Sequence, residues 1–89
     1  MTLQQLKYAI TVAESGTITE AATRLYISQP SLTNAIHELE KEMNITIFNR
    51  TNRGIVLSKE GEDFLGYARQ VLEQASICLL YTSDAADEL

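Results

Sequence analysis

The chain has 89 residues, room for one small domain, and its 45% hydrophobic and 21% charged residues, four glycines and one proline exclude a disordered or collagen-like chain. The lone Cys78 excludes an internally disulfide-bonded scaffold, and no apolar run approaches the roughly 20 residues of a bilayer span, so a cytoplasmic domain with no membrane partner is expected. The net charge of −5 hides a gradient: residues 1–58 are neutral, residues 59–77 carry −2 and residues 78–89 carry −3. Attraction to DNA follows the local potential, screened beyond about 8–10 Å, so this total does not exclude a nucleic-acid partner.

The first predicted element is a helix opened by Thr2 and Gln5 at capping-box spacing. Leu3, Leu6, Ile10 and Ala13 follow at helical intervals, and Gly16 closes it. Thr17 caps a second helix, answered by Glu20, with Ala21, Ala22 and Leu25 as a small apolar face. After Tyr26-Ile27, Ser28 caps a third helix with Pro30 in its first turn, where a missing N–H is tolerated. Leu32, Ala35, Ile36, Leu39 and Met43 form its inner stripe, and Asn44 suits a left-handed C-terminal cap.

The period then changes. Ile45, Ile47 and Asn49 alternate with Thr46 and Phe48, and Ile55-Val56-Leu57 is a second short run. Between them, Arg50-Thr51-Asn52-Arg53-Gly54 reads as the basic tip of a hairpin. Ser58 caps a fourth helix over Lys59–Ile77, with Phe64, Tyr67, Ala68, Val71, Leu72 and Ala75 along one side. Three helices, a two-stranded β-hairpin wing and a linker helix make a mainly α, winged helix-turn-helix fold. The short Tyr26-Ile27 joint forces a sharp crossing, so the third helix stands out from the body. That geometry suits a major groove about 12 Å wide.

With its inner stripe removed, the third helix offers Gln29, Pro30, Ser31, Thr33, Asn34, His37, Glu38 and Lys41. The first two turns are free of acids, Gln and Asn can pair with adenine, and a Thr methyl can meet that of thymine. The helix N-terminus adds partial positive charge and free N–H groups for a phosphate. The acids Glu38, Glu40 and Glu42 fall later, away from a duplex held there. Each feature has an ordinary counterpart: Thr17 and Ser28 are caps first, Arg50 and Arg53 are also what solvated turns contain, and His37 has no partner at metal spacing. Tyr26 is expected to pack in the helix–helix joint, and Phe48 in the core rather than as a stacking platform. No catalytic residues, metal site or cofactor are read here, and so short a chain is expected to leave no pocket of roughly 300 Å³ or more.

The run Ala21-Ala22-Thr23-Arg24-Leu25-Tyr26-Ile27-Ser28-Gln29-Pro30-Ser31-Leu32-Thr33 resembles the helix-turn-helix signature of LysR-type transcriptional regulators. Leu3-Gln4-Gln5-Leu6, Ala13-Glu14-Ser15-Gly16-Thr17-Ile18-Thr19, Ile36-His37-Glu38-Leu39-Glu40 and Ile47 through Ser58 extend the match in one register, and Gly61 falls where the pattern has it. Two departures stand out. Met43-Asn44 replaces the usual Leu-Gly, and Asn34 stands where many members carry a basic residue or Gln.

The resemblance implies a winged helix-turn-helix over residues 1–58 that reads double-stranded DNA at a pseudo-palindromic operator. Ser28, Gln29, Pro30, Ser31, Thr33 and Asn34 would meet bases or phosphates, and Arg50 and Arg53 the backbone or minor groove. Residues 59–77 would form a linker helix of roughly 28 Å that pairs two subunits. That pairing would run through Phe64, Tyr67, Ala68, Val71 and Ala75, weakly in so short a helix. A small-molecule effector would belong to a further, C-terminal domain. The alternative from the residues alone is a winged-helix module for protein–protein assembly without DNA readout. Residues 78–89 resemble a translated sequencing adapter of the transposon-end type, or else a natural end whose Leu79, Leu80 and Tyr81 extend the helical seam.

Overall fold

The computed structural model describes the backbone of residues 1–88 and the side chains of residues 1–81. Its elements run α1 (Leu3–Ser15), α2 (Ile18–Leu25), α3 (Gln29–Met43), β1 (Phe48–Thr51), β2 (Gly54–Leu57) and α4 (Lys59–Glu88). The two strands form one antiparallel pair. This is the winged helix-turn-helix with a trailing helix that the sequence predicts.

Hydroxyl side chains close the start of every helix, each accepting from a backbone amide three residues on. Thr2 Oγ1 accepts from Gln5 N at 3.0 Å while Gln5 Oε1 accepts from Thr2 N at 3.0 Å, a complete capping box. Thr17, Ser28 and Ser58 accept from Glu20, Ser31 and Gly61 at 3.2, 3.2 and 2.8 Å. The first three helices end in left-handed residues: Gly16 (φ 80°), Tyr26 (φ 58°) and Asn44 (φ 56°). Gly and Asn suit that conformation, whereas an aromatic residue in it is uncommon.

The core is continuous. Leu6, Ala9 and Val12 of α1 meet Ala21 and Ala22 of α2, Leu32, Ile36 and Leu39 of α3, Ile47, and Leu65 and Ala68 of α4. Helix α1 packs against the other three helices and is the centre of the assembly. Three expectations change here. Leu3 is exposed, because the inner face of α1 runs through Leu6, Ala9 and Val12. Leu65, absent from the predicted α4 seam, is fully buried. Ala68, predicted to face a second subunit, is 2% exposed within this core, so its methyl is already spent inside the chain.

Helix α4 is also longer than Lys59–Ile77. It continues to Glu88 and so takes in most of the stretch 78–89, whose last residue, Leu89, lies outside the described residues. Its thirty residues would span about 45 Å. Among the described residues no helix is long and apolar enough to cross a membrane.

The wing starts later than its alternating pattern suggests. Ile45, Thr46 and Ile47 are not strand, because their polar backbone groups are taken by helices and caps. Ile45 N donates to Glu40 O at 3.1 Å and closes α3. Ile47 N donates to the Glu40 carboxylate at 2.7 Å, and Phe48 N donates to the same oxygen at 3.3 Å. Ser58 N donates to Ile47 O at 2.9 Å, and the Ser58 hydroxyl donates to Thr46 O. Gly61 lies so close that an added Cβ would sit 2.2 Å from the Ile47 carbonyl oxygen. At its far end the wing is tied to the body, since Ile55 N donates to Gly16 O at 3.1 Å.

Substitutions at three positions test this packing. Gly61→Ala should lower the unfolding free energy by about 2–3 kcal/mol, because the obstructing atoms are backbone and cannot swing aside. Gly66→Ala, whose methyl meets open space, should raise it by about 0.5–1 kcal/mol, and urea titration of both variants checks the contrast. Glu40→Ala should lower it by about 1.5–3 kcal/mol, as two amides lose a charged acceptor, with Glu40→Gln losing less; hydrogen exchange at Ile47 and Phe48 locates the effect.

Candidate nucleic-acid interface

The N-terminal half of α3 and the wing enclose an open cleft of about 790 Å³. It is lined by Thr17 and Ile18 at the start of α2, by Gln29, Pro30, Thr33 and Asn34 of α3, and by Arg50, Thr51, Gly54 and Ile55 of the wing. So large an open space overturns the expectation that the chain leaves no room for one. The hairpin stands off from α3 because Glu40 holds its root and Gly16 its return strand, and the space between is left to solvent.

Of the eight residues predicted to meet DNA, the fold gathers Gln29, Pro30, Thr33, Asn34 and Arg50 around this cleft. Gln29 and Asn34 are exposed and Thr33 is half-buried, so none of the three is turned into the core. Ser28, Ser31 and Arg53 do not line the cleft. The Ser28 hydroxyl donates to Ser31 Oγ at 2.8 Å and accepts from Ser31 N, so these two serines are joined across the first turn of α3. Arg53 sits with Asn52 in the two-residue turn between Thr51 and Gly54, its N–H donating to Thr51 Oγ1 at 3.2 Å. Arg50, expected at the tip, is instead within β1 and paired with Ile55.

The sequence reading took Thr17 as a cap first, with any phosphate contact secondary, and did not place Ile18 on this surface, yet both line the cleft. At the start of α2 the Thr17 cap occupies the Glu20 amide, leaving those of Ile18 and Thr19 without an intrahelical acceptor. The start of α3 has less to offer an anion than expected: Pro30 has no N–H, and the Ser31 amide is taken by Ser28, which leaves the Gln29 amide.

Electrostatically the cleft is simple. Arg50 is the one charged residue in its lining, and no carboxylate is present there. Two of the three acids of α3 are drawn off elsewhere: Glu40 turns to the Ile47 and Phe48 amides, and Glu42 pairs with the N-terminal ammonium of Met1, while Glu38 is exposed and does not line the cleft. His37 shares a small recess with Glu40, Phe48 and Arg50 behind the cleft. Phe48 is half-buried against the core, as expected. Tyr26 is not in the helix–helix joint. The left-handed cap turns it outward, and it is 95% exposed.

Known proteins share this arrangement. The chain is 46% identical over 77 residues to the HTH-type transcriptional regulator ClcR of Pseudomonas putida, covering 86% of this chain and 26% of that one. It spans about a quarter to a third of the length of the curated relatives it matches first, all of them HTH-type transcriptional regulators. Its fold is similar to that in the crystal structure of the CbnR DBD–DNA complex, with a TM-score of 0.91 and 41% identity over 97% of this chain and 99% of that one. The BenM DBD/catB site 1 DNA complex gives 0.92 at 34% identity, over 97% of each chain. The family model described as bacterial regulatory helix-turn-helix protein, lysR family, matches residues 3–62, from the first turn of α1 through the glycine crossing at Ile47. On that match, the chain belongs to the LysR family of bacterial helix-turn-helix regulators.

Proposed function

We propose that the chain binds double-stranded DNA sequence-specifically, as the DNA-binding part of a longer cytoplasmic transcriptional regulator. The observation that carries this reading is the acid-free cleft between α3 and the wing, which collects Gln29, Thr33, Asn34 and Arg50. In the proposed complex α3 enters the major groove, where Gln29 and Asn34 read base edges and Thr33 offers a methyl. A phosphate strand runs through the cleft, met by Arg50 and the free amides at the start of α2. Arg53, at the hairpin turn, follows the backbone into the adjacent groove. Ser28 and Ser31 keep the first turn of α3 in shape and meet phosphate second.

DNA complexes of similar domains support the reading, as does the name shared by its relatives. Their greater length supports a further domain for a small-molecule effector. No catalytic role is proposed, because the sole histidine and the sole cysteine stand apart on different helices. A salt titration tests the DNA reading. Log affinity for a duplex should fall linearly with log salt, and Arg50→Ala and Arg53→Ala should each reduce that slope by about one. Gln29→Ala should cost about 1–3 kcal/mol at particular base pairs. Salt-insensitive binding unchanged by either arginine would favour protein–protein assembly instead.

Homodimerisation through α4 is the second part of the proposal. With Ala68 inside the core, the seam left for a partner is Tyr67 and Val71, 70% and 40% exposed, flanked by the half-buried Phe64 and Ala75. Two-fold pairing along it would match pseudo-palindromic half-sites. Val71→Glu should abolish self-association in sedimentation experiments while leaving the thermal midpoint of the monomer nearly unchanged. Ala68→Glu should unfold the chain.

A further inference from the structure

We infer that Tyr26 is a DNA-contacting residue whose phenolic hydroxyl donates to a backbone phosphate beside the N-terminus of α3. The inference rests on the DNA-binding reading and extends it to a residue outside the cleft. Tyr26 occupies the left-handed cap of α2 at φ 58° and ψ 39°. That conformation is disfavoured for residues with a Cβ and falls by preference to Gly or Asn. The other two left-handed caps, Gly16 and Asn44, obey that preference. Tyr26 does not, and packing offers no compensation, because the side chain is 95% exposed.

Nothing within the folded chain therefore favours tyrosine at this position. A partner outside it does. Tyr26 lies two residues before Ser28, so its Cα is held within about 7 Å of the cap of α3. A surface that docks on the first turn of α3 comes within reach of a side chain as long as tyrosine. Tyrosine is among the side chains that hydrogen-bond phosphate, and the αL turn holds it there without freezing a long flexible stem. The flanking groups add to the fit. Arg24, in the last turn of α2 two residues before Tyr26, is half-exposed and only loosely engaged by Glu20 at 3.7 Å, so its cation stays open to an anionic partner.

The test uses the whole chain and a fluorescein-labelled mixed-sequence duplex at low salt, with Tyr26→Phe and Tyr26→Gly beside the native sequence. Tyr26→Phe keeps the ring and the cap but removes the hydroxyl. It should raise Kd about three- to tenfold, equally for all sequences. The salt slope should stay unchanged, because a neutral donor displaces no counterion. Tyr26→Gly should lose at least as much affinity while its thermal midpoint stays level or rises, since glycine relieves the cap. Native affinity in Tyr26→Phe overturns the hydroxyl–phosphate contact. A fall in thermal midpoint that accompanies weaker binding in Tyr26→Gly assigns the residue a structural role and overturns it too. A native chain that binds no duplex overturns the DNA reading itself, and this inference with it.

Discussion

Ile47 is the residue on which the placement of everything else turns. Its amide is held by the Glu40 carboxylate of α3, its carbonyl by the Ser58 amide that opens α4, and its side chain is fully buried. Helix α3 and the start of α4 thus converge on one residue at the root of the wing, and Gly61 crosses it where only hydrogen fits. A hairpin of two four-residue strands is not independently stable in water. It has a fixed position here because its root is bonded to α3 and α4 and its return strand to Gly16. The cleft is a by-product of those three anchors, and its width is as well defined as they are.

The same carboxylate settles how an acidic chain can offer an acid-free face. Glu40 sits in the second half of α3, close enough to the wing to spoil its potential. Turned to the Ile47 and Phe48 amides, it is satisfied by two donors and lies behind the cleft. Glu42 is compensated by the N-terminus. Most of the remaining negative charge is on α4, none of whose residues lines the cleft. Net charge describes such a molecule poorly, because the sign that matters is that of one groove. Within it, a single arginine and the amide of Ile18 would favour an anionic strand in the proposed complex without gripping strongly. That is what a protein needs if base edges are to decide where it stops.

Much of this was legible in the sequence because it is local. A hydroxyl residue followed three positions later by an amide to bind declares a helix start, and Thr2, Thr17, Ser28 and Ser58 all do so. Gly16 and Asn44 declare helix ends by the same kind of local preference. The polar face of α3 follows from period alone. What was not legible depends on partners distant in the chain. Ile45–Ile47 alternates like a strand, yet its backbone bonds go to Glu40 and Ser58, which periodicity cannot register. Tyr26 looks apolar enough to fill a joint, but the cap geometry, which only the path of the chain reveals, turns it to solvent. The cleft is invisible for the same reason: it is bounded by residues from α2, α3 and the wing, and the spacing between them is set by bonds between residues distant in the chain, such as Glu40 with Ile47 and Ile55 with Gly16.

Helix α4 shows how one apolar stripe can serve two purposes. Read as a seam, Phe64, Tyr67, Ala68 and Val71 look equivalent. Packed, they divide: Leu65 and Ala68 complete the core against α1, while Tyr67 and Val71 stay in solvent. A fully buried leucine contributes about 1.5–3 kcal/mol, a large share of the stability of so small a fold, so the early turns of α4 are part of the same core as α1–α3. The division also couples the two roles mechanically. Because the cap of α4, Ser58, lies one residue past β2 and is bonded to Ile47, the helix is joined directly to the root of the wing. A second copy docked on Tyr67 and Val71, as proposed above, would then relate two clefts through a path of helix, cap and strand.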